Sequence, residues 1–177
     1  MNDYGFEPYN ELLYSLPFLV DAKVIVETGF GQGGSTQLFL KALSELDNPE
    51  ERHLYTIEKF MDYPSLPLGR REVKSNIEAM NFKAKWDLIE GDSFDIGRNF
   101  RQDFDLLFLD SDHSYETVRD ELNTFGMKTK SLIITDDANY PDGRIAPPTP
   151  AMIDFSIRNK WRVLHLEENR GLCILKK

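Results

Sequence analysis

The chain has 177 residues, enough for one domain with a substantial core and short for two. Its formal net charge is −9, from 30 acidic and 21 basic residues, so no basic stripe is available to meet a nucleic-acid backbone. Its single cysteine, Cys173, excludes an internal disulfide, and the sequence carries neither a signal-peptide pattern nor an apolar run of membrane-spanning length. The expectation is a cytoplasmic single domain over residues 1–177, with no membrane and no nucleic-acid partner, in which Cys173 is a small core residue.

Residues 1–22 form the expected N-terminal helical segment. Leu12, Leu13, Leu16, Phe18 and Leu19 fit a short helix, broken near Pro17. Tyr4, Phe6, Tyr9 and Tyr14 make it aromatic. Packing on the core is the first expectation, and covering a ligand or pairing two copies as a homodimer are the alternatives. Val24-Ile25-Val26 is a β-branched run suited to a strand buried on both faces, and Glu27 closes it. Gly29, Gly31, Gly33 and Gly34 follow, then Ser35, Thr36 and the apolar Leu38, Phe39, Leu40 and Leu43. The pattern predicts strand, glycine-rich turn and helix, ending near Leu46. Such a turn lets a ligand approach the backbone with no Cβ in the way and turns free helix N–H groups toward it. Open α/β sheets bind nucleotides there. Gly29, Gly31 and Gly34 fit the dinucleotide pattern G-x-G-x-x-G, and with Glu27 the stretch fits E-x-G-x-G-x-G equally well.

His53 to Glu58 is the second predicted strand. It ends on a carboxylate, placing Glu58 to accept hydrogen bonds from ribose hydroxyls. Residues 60–70 read as a loop, with Phe60, Met61 and Tyr63 offered as one wall of an adenine pocket. Arg71 to Met80 is a helix by the spacing of Val73, Ile77 and Met80. Trp86 to Ile89 is a third strand, followed by Gly91-Asp92-Ser93. Asp92 and Ser93 suit the adenine edge, and equally suit a helix N-cap. Phe104 to Leu109 is the fourth strand and runs into Asp110-Ser111-Asp112-His113-Ser114-Tyr115. A helix over Glu116–Phe125 and a fifth strand over Ser131–Thr135 follow, the latter ending in Asp136-Asp137. After a Pro- and Gly-rich loop over residues 138–150 come a helix at Ala151–Asn159 and two strands, Trp161–Leu166 and Leu172–Leu175, joined as a hairpin. The alternation predicts an α/β fold, a mostly parallel sheet with helices on both faces and a C-terminal antiparallel hairpin.

Parallel neighbouring strands present their carboxyl ends at one edge of the sheet. Glu27, Asp110, Asp112, His113, Asp136 and Asp137 then converge beside the glycine turn. Unpaired, these carboxylates raise one another's pKa. A hard divalent cation with oxygen ligands relieves that, and Mg²⁺ is the usual choice. The alternative is a set of strand-end caps facing water.

LDSDHSYETV followed by LIITDDANY resembles the metal-dependent small-molecule O-methyltransferases, above all the family-24 methyltransferases and the cephalosporin hydroxylase/rhamnosyl O-methyltransferase group. The glycine stretch resembles motif I of class I S-adenosylmethionine-dependent methyltransferases. The resemblance runs from about Val24 to Ile174 and implies the Rossmann-like class I methyltransferase fold with a seven-stranded sheet. It implies Mg²⁺ on Asp110, Asp136 and Asp137. It also implies S-adenosylmethionine against Glu27, Gly29, Gly31, Gly33, Ser35, Glu58, Asp92, Ser93 and Asp110. Glu27 favours this cofactor over a dinucleotide, because its ammonium group welcomes a carboxylate and a pyrophosphate does not. Two departures stand out: the N-terminal segment is short, and the loop after Asp137 is the chain's own.

Methyl transfer needs a positioned nucleophile and a way to remove its proton. His113, three residues after Asp110, lies where catechol-type relatives carry a basic residue, and imidazole titrates in the range a general base needs. Asp110 and His113 are therefore the candidate catalytic pair, with capping or a hydrogen bond to Asp110 as the plainer role for His113. His53 and His165 fall within strands and read as structural. The expected protein is an O-methyltransferase acting on a small hydroxylated molecule, a sugar or secondary metabolite. The alternatives are a nicotinamide-dependent oxidoreductase and a catalytically silent cofactor-binding relative.

Overall fold

A computed structural model describes residues 8–59 and 69–177. Along them the elements run α1 (Asn10–Leu19), β1 (Val24–Thr28), α2 (Gly34–Glu45), β2 (His53–Glu58), α3 (Arg70–Ala79), β3 (Lys85–Glu90), α4 (Ser93–Asn99), β4 (Phe104–Leu109), α5 (Tyr115–Thr124), β5 (Thr129–Thr135), α6 (Pro148–Asn159), β6 (Arg162–Leu166) and β7 (Leu172–Lys176). The strands form one sheet in the order β3-β2-β1-β4-β5-β7-β6. Strands β1 to β5 pair in parallel, and β7 runs antiparallel to both β5 and β6. This is the Rossmann-like sheet with a C-terminal antiparallel hairpin that the strand pattern predicts.

The most apolar strands lie at the centre because they are the ones covered on both sides. Successive side chains of a strand point to opposite faces. Ile25 and Phe108 accordingly join Leu13, Phe39, Leu43 and Ile77 on the face covered by α1, α2 and α3. Val26, Leu107 and Leu109 join Val118, Leu122, Phe125 and Phe155 on the face covered by α5 and α6. Phe39 and Phe108 meet edge to face with ring centroids 5.4 Å apart. Cys173 is buried in β7, where burial pushes its thiol up to about 12 and leaves it inert.

Several local expectations shift. Pro17 lies inside α1 rather than breaking it. It sits two residues from the helix end, and its carbonyl accepts from Ala22 N–H at 2.9 Å to close the helix. Helix α6 begins at Pro148, earlier than Ala151, because Pro148 and Pro150 occupy its first turn, where no N–H is needed. Asp92 caps α4 by accepting from Phe94 N–H at 3.0 Å. His53 pairs with Asp87 at 2.8 Å on the neighbouring strand. Tyr4, Phe6, Phe60, Met61 and Tyr63 lie outside the described residues. Tyr9 packs inward, and its hydroxyl donates to Glu168 O at 2.7 Å, tying the start of α1 to the turn before β7. Among the described residues no helix is long and apolar enough to cross a membrane.

Candidate active site

The carboxyl ends of β1, β2, β3 and β4 open onto a cavity of about 900 Å³. Gly29 and Gly31, Glu58 and Lys59, Gly91 to Phe94, and Asp110 to His113 form its walls, with Thr117, Asp120 and Glu121 of α5 beneath. Gly29 explains why the first turn needs glycine. Its φ is +89°, and a Cβ there would overlap the Asp110 carbonyl group on the adjacent strand end. Gly33, with φ +71°, is the N-cap of α2, and a Cβ there would come within 2.6 Å of Ile77 Cδ1.

Glu27, Gly33 and Ser35, expected at the cofactor, are not among the residues that line the cavity. Glu27 is fully buried behind the turn. Ser35 Oγ donates to its Oε1, and Thr36 and Thr56 hydroxyls donate to its Oε2 at 2.6 and 2.8 Å. Burial pushes this carboxyl up to about 7 against those hydrogen bonds. Glu27 therefore joins β1 to α2 and β2 and holds the glycine turn from behind. Its oxygens accept from the hydroxyls of Ser35, Thr36 and Thr56.

Glu58 stays in the wall. Its Oε2 accepts from Phe30 N–H at 3.0 Å and lies 3.3 Å from Arg70 Nε, so the carboxylate is held in one orientation by the turn and by α3. Asp92 also lines the cavity, but both of its oxygens are engaged: Oδ1 caps α4, and Oδ2 lies 2.8 Å from Lys59 Nζ. The hydrogen bond and charge of Lys59 pull its carboxyl below the usual range. Ser93 stands beside it.

At the opposite end His113 bridges two carboxylates. Its Nε2 is 3.2 Å from Asp110 Oδ1, and its Nδ1 pairs with Asp137 Oδ2. Arg170, from the turn before β7, places Nε 2.5 Å from Asp137 Oδ1, at an angle too poor for a regular hydrogen bond. Asp137 itself is buried with φ +52°, a left-handed conformation that turns the chain sharply after β5. Burial alone would lower the His113 pKa, but the hydrogen bonds and charges of Asp110 and Asp137 outweigh it and raise it to about 10. Burial raises Asp110, and burial together with repulsion from Asp110 and Asp137 raises Asp136 to about 7.

The structure thus brings Asp110, His113 and Asp137 into direct contact, with Asp136 close enough to feel their charge, and Glu58, Asp92 and Ser93 into the neighbouring cavity. Among the described residues no three His, Cys, Asp or Glu side chains stand together as ready-made metal ligands. Asp110, Asp136 and Asp137 carry the carboxylate oxygens that a hard dication takes, and burial raises the pKa of Asp110 and Asp136, but the three are not gathered as a ligand set. His113 and Arg170 occupy both oxygens of Asp137. Arg70, Glu121 and Arg170 are site residues that strand-end reasoning missed. Glu121 alone carried a signal, standing three residues after the inward-facing Val118 on α5.

A cavity at the carboxyl ends of β1 to β4, in a sheet ordered 3-2-1-4-5-7-6, fits a class I S-adenosylmethionine-dependent methyltransferase, and the family match supports that class. The family model described as "Methyltransferase domain" matches residues 26–138, well over half the chain, and the protein belongs to that family, the family-24 methyltransferase domains. This sets aside the oxidoreductase reading. No curated protein matches the chain by sequence. Solved structures share its fold. An SAH-bound methyltransferase from Podospora anserina is 17% identical, with a TM-score of 0.66, over 98% of this chain and 80% of that one. The TDP-rhamnose 3′-O-methyltransferase of calicheamicin biosynthesis is 17% identical, with a TM-score of 0.67, over 94% and 76%. The O-methyltransferase NovP is 18% identical, with a TM-score of 0.70, over 95% and 78%.

Proposed function

We propose that this methyltransferase transfers its methyl group to a hydroxyl of a small molecule, a sugar or secondary metabolite, and that Asp110, Asp136 and Asp137 hold Mg²⁺ for it. The observation that carries the reading is the meeting of Asp110 and Asp137 with His113 at the strand ends, with Asp136 near enough to feel their charge. The O-methyltransferases among proteins of the same fold support the choice of a hydroxyl acceptor.

The cofactor lies against Gly29, Gly31, Glu58, Asp92, Ser93 and Asp110, while Glu27, Gly33 and Ser35 shape the turn behind it. Bound Mg²⁺ would supply Lewis-acid polarisation that lowers the pKa of an acceptor hydroxyl. His113 takes the acceptor's proton on its imidazole, and Asp110 orients the ring. Held between two carboxylates, His113 keeps its own proton; partnering those carboxylates elsewhere frees the neutral imidazole to act as base.

The test is SAH formation from S-adenosylmethionine with a panel of catechol and nucleotide-sugar acceptors. Turnover is expected to vanish in EDTA and return with Mg²⁺. Asp137→Ala is expected to lose the metal response while still binding SAH, since the cofactor's contacts lie on the first four strands. Full turnover in chelator would leave the three aspartates as direct contacts to the acceptor.

A further inference from the structure

Strand β6 closes the sheet on the side away from the cavity at the ends of β1 to β4. It pairs with β7 in an unbroken antiparallel register, and among the described residues nothing pairs with its other side. An open edge offers a row of unpaired N–H and C=O groups to any extended chain. Edge strands that stay single are commonly guarded by a lysine, a proline or a bulge in mid-strand. Val163-Leu164-His165-Leu166 has none of these.

The side chains around this edge are apolar and lie in solvent. Trp161 packs in the core under α6 and Leu166 against the core under α1 to α3, so alternation puts Val163 on the α6 face and Leu164 on the other. On α6, Asp154 accepts from Tyr115 OH of α5 at 2.7 Å, which fixes the flank that faces the centre of the sheet. Ile153 and Ile157, one turn apart, lie on the flank away from α5, toward the β6 edge. Ile153, Ile157, Val163 and Leu164 are 37% to 71% exposed. One exposed isoleucine is ordinary, whereas four apolar side chains gathered around one open strand mark an association surface.

The charges at the two ends of the strand say what covers it. Lys160 and Arg162 precede the apolar run, Glu167 and Glu168 follow it, and all four are exposed. A second β6 laid antiparallel sets the basic end of each strand against the acidic end of the other, twice by symmetry. A parallel copy would set like charge against like. A two-fold axis at Leu164 or His165, the middle of the run, puts Arg162 diagonal or opposite to Glu168 and Leu164 opposite its own copy or Leu166.

We propose that β6 pairs antiparallel with β6 of a second copy of this chain, joining two seven-stranded sheets into one. Ile153, Ile157 and Val163 of both copies cover the joint on one face and Leu164 covers it on the other. The proposal is independent of the cofactor and metal reading.

The test is sedimentation equilibrium of the full chain over a wide concentration range. Wild type is expected to reach twice the chain mass and no more, because a symmetric pair uses up both open edges. Val163→Lys puts a charge in mid-strand and is expected to raise the dimer dissociation constant at least about 100-fold. Arg162→Glu and Glu168→Arg are each expected to raise it at least about tenfold, and an equimolar mixture of the two to restore the dimer, since each then meets its opposite. Circular dichroism checks that the variants fold; if Val163→Lys does not, the charge pair still decides. A wild type that stays monomeric overturns the proposal and leaves the edge to a different partner. A dimer that all three variants keep at wild-type affinity overturns it too, as does a mixture of the charge variants that stays monomeric.

Discussion

His113→Ala is expected to lower turnover by roughly 10²–10⁴-fold, the usual contribution of a general base, and to leave SAH affinity close to wild type. The geometry separates the two effects. His113 touches Asp110 and Asp137, away from Glu58, on which the proposed function puts the cofactor's ribose. The variant also leaves two clustered carboxylates with one cation fewer, so Mg²⁺ is expected to raise its melting temperature more than it raises that of wild type. His113→Lys is expected to recover part of the lost turnover at high pH, once the amine deprotonates. A variant that keeps both its turnover and its pH profile would make His113 a structural link between Asp110 and Asp137.

Gly29→Ala is expected to cost about 3–5 kcal/mol of stability, from a disfavoured backbone conformation and an overlap added together. The turn cannot yield, because Gly29 N–H donates to Ile57 O at 2.8 Å and Asp110 N–H donates to Thr28 O at 2.9 Å. Those bonds hold three strand ends around the point where the new methyl would meet the Asp110 carbonyl. Gly31→Ala is the control. Its φ is +49° and a Cβ there has nothing within 4 Å, so the cost is about 1–2 kcal/mol of backbone conformation, and the main loss falls on SAH binding. Urea unfolding of both variants reads the difference directly. Equal stability of Gly29→Ala and wild type would mean that the turn is far looser than its hydrogen bonds indicate.

Much of this architecture is legible in the chain because the cues are local. VIV and LLFL are continuous apolar runs that suit doubly covered parallel strands, and both lie at the centre of the sheet. The acidic ends of β4 and β5 sit next to one another because parallel neighbours end on the same edge. What stayed hidden depends on distant partners. Glu27 at a strand end reads as a ligand-facing carboxylate until Ser35, Thr36 and Thr56 are seen to surround it, and Thr56 comes from another strand. Arg170 reaches Asp137 only because β7 runs back antiparallel beside β5, a pairing that no spacing in the sequence encodes. Pro17 misled because a proline's effect depends on its distance from the helix end, and α1 ends two residues later.

The claim beneath all of these is that the cavity holds S-adenosylmethionine with its ribose on Glu58. Calorimetric titration of SAH into wild type and into Glu58→Ala tests it, with NAD as the competing ligand. The expected result is saturable SAH binding to wild type and no heat from NAD. In Glu58→Ala, SAH binding is expected to weaken by about 1–3 kcal/mol, the worth of a charged hydrogen-bond acceptor. Saturable binding of NAD in place of SAH, or an affinity for SAH that Glu58→Ala leaves unchanged, would contradict it.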